Sequence, residues 1–167
     1  MKKYGVWLIL IVLLLCVTYL WVTFSMKDKE DHSEQIEKER INQFFTELNS
    51  IYGYIYTSKD GSLQLFLKIN QALREGELMG NLYVMERNES AEEPYKETKY
   101  ELNGITDGRM LEFYTTVDGE TVKLEGNFHE DAKSFELSLW MAEMKVLFQA
   151  ITEEEYTEMN IANQKVE

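Results

Sequence analysis

The chain is short of the residues on which most site chemistry rests. Of 167 residues, one is cysteine, two are histidine and one is proline. Cys16 stands alone, so no disulfide staples the fold and no cysteine pair can hold a metal. His32 and His129 come with neither H-x-x-x-H nor E-x-x-H spacing, which excludes the usual helical zinc signatures. No G-x-S-x-G elbow, glycine-rich phosphate loop or EF-hand pattern occurs, which removes the familiar serine-hydrolase, nucleotide-binding and calcium signatures. Positive charge is scarce as well. Seventeen Lys and Arg face 30 Asp and Glu, a net charge of −13, so a polybasic nucleic-acid footprint is excluded as a bulk property. Apolar residues are not lacking. At 44% hydrophobic and 13% aromatic, the chain is no acidic disordered tail.

One segment carries no ionisable acid or base of the charged kinds: Tyr4 to Met26, 23 residues. A helix rising about 1.5 Å per residue needs roughly 20 apolar residues to cross a bilayer core. Thirteen Leu, Ile, Val or Phe between Val6 and Phe24 favour insertion by about 4–8 kcal/mol as an upper bound. Trp7 at one end and Tyr19 and Trp21 at the other suit the two interfaces. Lys2 and Lys3 precede the run, which predicts a cytoplasmic N-terminus and an extracytoplasmic remainder. Residues 1–26 are thus expected to be a transmembrane signal-anchor. A cleaved signal peptide competes with this, but the run is long and has no A-x-A site; lipidation at Cys16 competes too, but Leu13-Leu14-Leu15 precedes it. A buried core helix is the third alternative, opposed by the length and the apolarity all round.

Without residues 1–26 the remainder is one domain's worth of chain, at net charge −15. Residues 27–33 read as a polar tether. Residues 34–50 read as an amphipathic helix, with Ile41, Phe44, Phe45 and Leu48 at i, i+3, i+4, i+7 and Ile36 one turn earlier. It either binds a partner or packs on its own domain.

From Ile51 the period becomes two. Eight runs alternate apolar and more polar residues: Ile51–Tyr56, Leu63–Ile69, Leu78–Met85, Thr98–Gly104, Leu111–Val117, Val122–Phe128, Phe135–Leu139 and Met144–Ala150. Asp60-Gly61, Asp107-Gly108 and Asp118-Gly119 separate successive runs, as in tight hairpins whose central residues take positive φ. Asn70 to Glu75 reads as one irregular turn, Arg87 to Pro94 as a polar loop, and Met141-Ala142-Glu143 as a short one. Thr152 and Glu155 form a capping box for a short C-terminal helix with Tyr156 and Met159 inward.

The expected fold is mainly β: residues 51–167 form an eight-stranded antiparallel meander with a short C-terminal helix. A sheet of about eight strands with one apolar face can curl into a barrel. Gly53, Gly80, Gly104 and Gly126 lie where bends or close approaches would fall. Helix 34–50 would plug an end or cover an edge. A strongly curved open sheet and a Greek-key sandwich are the alternatives.

The recurring pattern in Glu77-Leu78-Met79-Gly80-Asn81-Leu82-Tyr83, in Glu97 to Gly104, in Lys123-Leu124-Glu125-Gly126-Asn127-Phe128 and in the closing Phe148-Gln149-Ala150 resembles a loose group of uncharacterised, membrane-anchored Gram-positive proteins with a lipocalin-like β-meander. The resemblance covers residues 51–156. It implies a lipocalin-like fold and a binding or regulatory role, and it brings no catalytic residues, metal or cofactor.

The expected function is a membrane-anchored, extracytoplasmic, non-enzymatic binding module for a protein partner or a small hydrophobic ligand. The alternative is an accessory subunit of an export, conjugation or cell-wall assembly. A surface hydrolase ranks third, because carboxylates are abundant but only a convergent pair with raised pKa would serve. The candidate binding residues are Tyr52, Tyr54 and Tyr56, read as one strand face; ordinary strand packing is the competing account.

Overall fold

The computed structural model describes residues 14, 16, 18, 19, 21, 34–87, 95–129, 131–142 and 145–160. The chain divides into two compact units, residues 1–40 and 41–167. In the first, Leu14, Cys16, Thr18, Tyr19 and Trp21 are helical and exposed. Most of the apolar run 4–26, and all of the tether 27–33, lie outside the described residues. Among the described residues no helix is long and apolar enough to cross a membrane. A helix, α1, covers residues 34–48. Its first turns carry the Arg40–Glu37 pair, held by two bonds of 2.7 and 2.9 Å.

The second unit is a closed up-and-down barrel. Its strands are β1 (Gly53–Thr57), β2 (Leu63–Ala72), β3 (Glu77–Arg87), β4 (Tyr95–Thr106), β5 (Met110–Val117), β6 (Glu120–Phe128), β7 (Ser134–Leu137) and β8 (Val146–Ile151). Each pairs antiparallel with its neighbours in sequence, and β1 closes on β8 through Gly53↔Ile151, Tyr54↔Ala150 and Ile55↔Gln149. Closing β1 on β8 removes the two outermost edges that an open meander would expose. It also gives the alternating apolar residues one shared interior. Leu65, Leu67, Leu78, Leu82, Leu102, Leu111, Phe113, Leu124, Phe135, Leu137 and Phe148 meet there, all buried.

Side chains pack into both ends of the barrel. At one, the second half of α1 inserts Phe44, Phe45 and Leu48, with the Phe44 and Phe128 rings edge to face at 4.9 Å. Asn49, just past the helix, fixes that end on Ala72: its amide donates to the Ala72 carbonyl at 3.1 Å and its oxygen accepts from the Ala72 N–H at 3.3 Å. At the other end, Trp140 from the β7–β8 connection packs edge to face on Tyr100 at 4.8 Å. The expected short loop is therefore longer. Pairing stops at Leu137 and resumes at Val146, because Leu139 and Trp140 turn in to cover the mouth.

The turns differ in kind. Only Asp118-Gly119 has both residues at positive φ (52° and 87°), as a two-residue hairpin requires. At Asp60-Gly61 and Asp107-Gly108 only the glycine is positive, and the aspartate works through its side chain instead. Asp107 Oδ1 accepts from the N–H groups of Arg109 and Met110, both at 2.8 Å. The first half of the expected irregular turn at Asn70–Glu75 is strand, since β2 continues to Ala72 across a register shift between Ile69 and Gln71; the turn itself is Leu73 to Glu75, completed by Gly76 (φ 100°).

Asp60 Oδ1 accepts from the Ser58 hydroxyl at 2.7 Å, the Ser62 hydroxyl at 2.8 Å and the Ser62 N–H at 3.2 Å. These bonds, the Ser58 hydroxyl first, lower the carboxyl from 3.8 to about 2. A depressed carboxylate contributes stability above its ordinary pKa and loses it as pH falls through the folded one. The β1–β2 turn should accordingly hold at pH 4 and loosen near pH 2. An NMR titration of the Asp60 carboxyl with a midpoint close to 4 would contradict this.

A second helix, α2 (Glu153–Met159), follows β8. Thr152 and Glu155 form the expected reciprocal capping box, with bonds of 3.2 and 2.9 Å. The helix lies against the outside of β2. Tyr156 stacks on Phe66 with ring centroids 4.0 Å apart. Met159, expected inward, is 45% exposed; its backbone carbonyl, not its side chain, makes the contact, accepting from Gln64 Nε2 at 2.8 Å.

Candidate functional site

The three tyrosines singled out from the sequence do not share a surface. Tyr54 is sealed in the interior, where its hydroxyl donates to the Ala132 carbonyl at 2.6 Å and its ring meets Phe135 at 4.8 Å. Burial, with Glu47 and Asp131 nearby, pushes its ionisation far up. Tyr56, half-buried, packs against the same interior. Tyr52 precedes the first paired residue, Gly53, and escapes the strand's alternation. It joins an outer cluster of Phe66, Met85, Ile55 and Ile151, fringed by Tyr83, Tyr95 and Tyr156. The face expected to carry three tyrosines carries two, both spent on packing.

The exposed apolar surface lies elsewhere. Met79 on β3, Ile105 on β4, and Met110 and Tyr114 on β5 are 52%, 53%, 59% and 40% exposed. The register makes them near neighbours. Met79 is opposite Asn103, Asn103 is opposite Tyr114, and Ile105 is opposite Glu112, two residues from both Met110 and Tyr114. Two shallow depressions, of about 250 and 300 Å³, adjoin at Ile105. Four carboxylates line them, Glu75, Glu77, Asp107 and Glu112, and among the described residues no lysine or arginine does. Lys123 approaches from β6 and is shared by Glu112 at 2.9 Å and Glu125 at 2.6 Å, so one positive charge offsets only one of the two carboxylates. The surface is an apolar centre with an acidic rim.

The sequence did carry a signal for this face. Met79 and Tyr114 occupy polar-side positions of alternating strands, and Ile105 and Met110 flank a hairpin turn where polar residues are the norm. Apolar residues on the wet side of a strand mark a surface kept for contact.

A third depression, about 440 Å³ and more polar, continues from Asn103 and Tyr114. Lys99, Tyr100 and Glu101 line one bank, and Thr115, Thr116 and Thr121 the other.

Among the described residues no group of three or more His, Cys, Asp or Glu could hold a metal ion. Asp60, Asp107 and Glu125 have lowered pKa values, the opposite of what a general acid needs. For Asp107 burial opposes ionisation, and the N–H groups of Met110 and Arg109 outweigh it. Glu125 is lowered by its hydrogen bond and ion pair with Lys123.

Comparison with known protein families, with curated proteins and with solved structures finds no match. The functional argument therefore rests on this chain's own residues.

Proposed function

We propose that the protein is a membrane-anchored, extracytoplasmic binding module without catalytic activity, which holds a protein partner on the outer face of β3, β4 and β5. The apolar patch of Met79, Ile105, Met110 and Tyr114 is the observation that carries this reading. A solvated barrel strand gains nothing by exposing such residues to water, whereas a partner that covers them removes apolar area at about 25 cal/mol per Å². The filled barrel weighs against the small-ligand version, since aromatic and leucine side chains occupy the interior and residues of α1 and Trp140 pack against it at the two ends. The acidic rim favours a partner with basic residues around an apolar contact. Residues 4–26 supply the anchor and Lys2 and Lys3 its orientation, both argued from the sequence. The cell membrane, with the barrel outside, is the proposed location, in keeping with the resemblance to Gram-positive anchored proteins.

One experiment tests face and topology together. In a Cys16→Ser background, Ile105→Cys and Gln149→Cys place single thiols on opposite sides of the barrel, since Gln149 is exposed on β8. Whole cells are treated with a membrane-impermeant, thiol-reactive photo-crosslinker. Both positions should label, and only position 105 should yield a protein adduct. Adding Met110→Lys should reduce that adduct by about tenfold, as loss of a central contact does. Equal adducts from both positions would defeat the face, and labelling seen only in lysates would defeat the topology.

A further inference from the structure

The barrel seam between β4 and β5 is closed over four residue pairs only, from Thr106↔Leu111 to Asn103↔Tyr114. Beyond Asn103, β4 runs on to Tyr95, paired throughout with β3, while β5 turns away with β6. The two strands part like the arms of a Y around the polar groove.

Residue parity shows which backbone groups face this opening. In an extended strand the N–H and C=O of one residue point to the same neighbour, and successive residues alternate. Thr106 N–H donates to Gly76 O at 2.8 Å, so even-numbered residues of β4 serve the β3 side. Glu101 O accepts from the Thr115 hydroxyl at 2.8 Å, so odd-numbered residues face β5. The N–H and C=O of Glu97 and Lys99, and the N–H of Glu101, therefore point into the groove, where no described strand pairs with them. The side chains of Glu97, Lys99 and Glu101 are on the outer face, exposed, in the order acid, base, acid. Thr98 and Tyr100 face inward and are half-buried, with Trp140 behind Tyr100.

We infer that the open edge of β4 accepts an extended segment of the protein partner as an added antiparallel strand. The inference rests on the reading that the partner is a protein, and it specifies how part of it is held. Strand addition satisfies the waiting backbone groups and leaves side chains to choose the partner. Cross-strand charge pairing selects a segment with basic, acidic and basic residues opposite Glu97, Lys99 and Glu101. The intervening residues, directed over Thr98, Tyr100 and Trp140, are apolar. Such a segment leaves the groove beside Tyr114, where the apolar patch begins. A second copy of this chain fits less well. With Lys99 opposite Lys99, each Glu97 would meet a Glu101, and both domains carry large negative charge.

The test uses the full-length protein in detergent and a capped heptapeptide, Thr-Lys-Val-Glu-Val-Lys-Thr, followed by chemical-shift changes at β4 and β5. Methylating the backbone nitrogen of the peptide's glutamate removes a bond to β4 and should weaken binding by about tenfold; methylating either valine nitrogen, which faces away, should not. A charge-swapped peptide, Thr-Glu-Val-Lys-Val-Glu-Thr, should bind at least about fivefold more weakly. On the protein side, Lys99→Pro deletes a groove-facing N–H and spares the β3 ladder, so it should fold and lose the peptide, while Lys99→Gln keeps most of the binding. Equal binding of all methylated peptides, equal binding of the charge-swapped one, or no binding at millimolar peptide would each overturn the inference. So would an edge-to-edge dimer abolished by Lys99→Pro. The crosslinking result stands apart: adducts at position 105 without register-specific peptide binding defeat the strand-addition mode alone, and register-specific binding without those adducts defeats the apolar-face reading alone.

Discussion

Phe135→Ala should lower the thermal midpoint of the barrel by roughly 12–20 °C, from a loss of about 3–5 kcal/mol at about 4 °C per kcal/mol. Phe135 has no exposed surface. Its ring touches three others: Tyr54 at 4.8 Å, Phe128 at 5.2 Å and Phe148, stacked, at 5.1 Å. It projects from β7, the shortest strand, which pairs at three positions with β6 and at four with β8. So narrow a strand depends on its inward side chains more than on its ladder. The cavity left by alanine would border Tyr54, whose hydroxyl bond to Ala132 ties the β6–β7 loop to β1. Calorimetry is the direct check, and a fall of less than about 5 °C would mean that the neighbouring rings collapse into the space.

Gly126→Ala should cost about 3 kcal/mol, the upper end for overpacking. A Cβ at this inward position of β6 would lie 2.1 Å from the backbone oxygen of Glu136 and 3.0 Å from Leu137 Cδ1. A backbone carbonyl in a paired strand cannot swing aside as a side-chain tip can. The β6–β7 ladder would have to part, and it has only three pairs. Gly119→Ala is the control. Nothing lies within 4 Å of a Cβ there, but φ is +87°, so the cost should be the backbone strain of about 1–2 kcal/mol. Chemical denaturation of both variants checks the order. A milder effect at Gly126 than at Gly119 would mean that the barrel seam flexes.

How far the fold could be read in advance depended on the kind of signal. The two-residue period named the eight strands, and the inward sets at β3, β5 and β6 are the ones expected. The box at Thr152 and Glu155 was legible because capping is local chemistry. Strand ends were not. Leu139 alternates correctly with Leu137, yet the chain leaves the sheet between them so that Trp140 can reach Tyr100, and that choice belongs to the shape of the barrel mouth. Tyr52 misled for the same reason: its place in the alternation was regular, but pairing with β8 begins one residue later. The Asp-Gly pairs foretold three turns, although only Asp118-Gly119 takes the backbone form that the dipeptide is known for.

The candidate surface divides in the same way. That Met79 and Tyr114 stand on wet sides could be read from the period. That they stand beside Ile105 and Met110 could not, because the neighbours come from three strands and only the register aligns them.

The chain's own pattern, then, was enough for an apolar segment of membrane length, an acidic remainder without disulfides, and eight alternating ribbons, since composition and periodicity are properties of residues in order. Whether the ribbons closed, what filled them, and where a strand edge stayed open were matters of packing. They turned on contacts between residues far apart in the chain, such as Tyr54 with Phe135, Trp140 with Tyr100, and Glu101 with Thr115, and no local pattern encodes those.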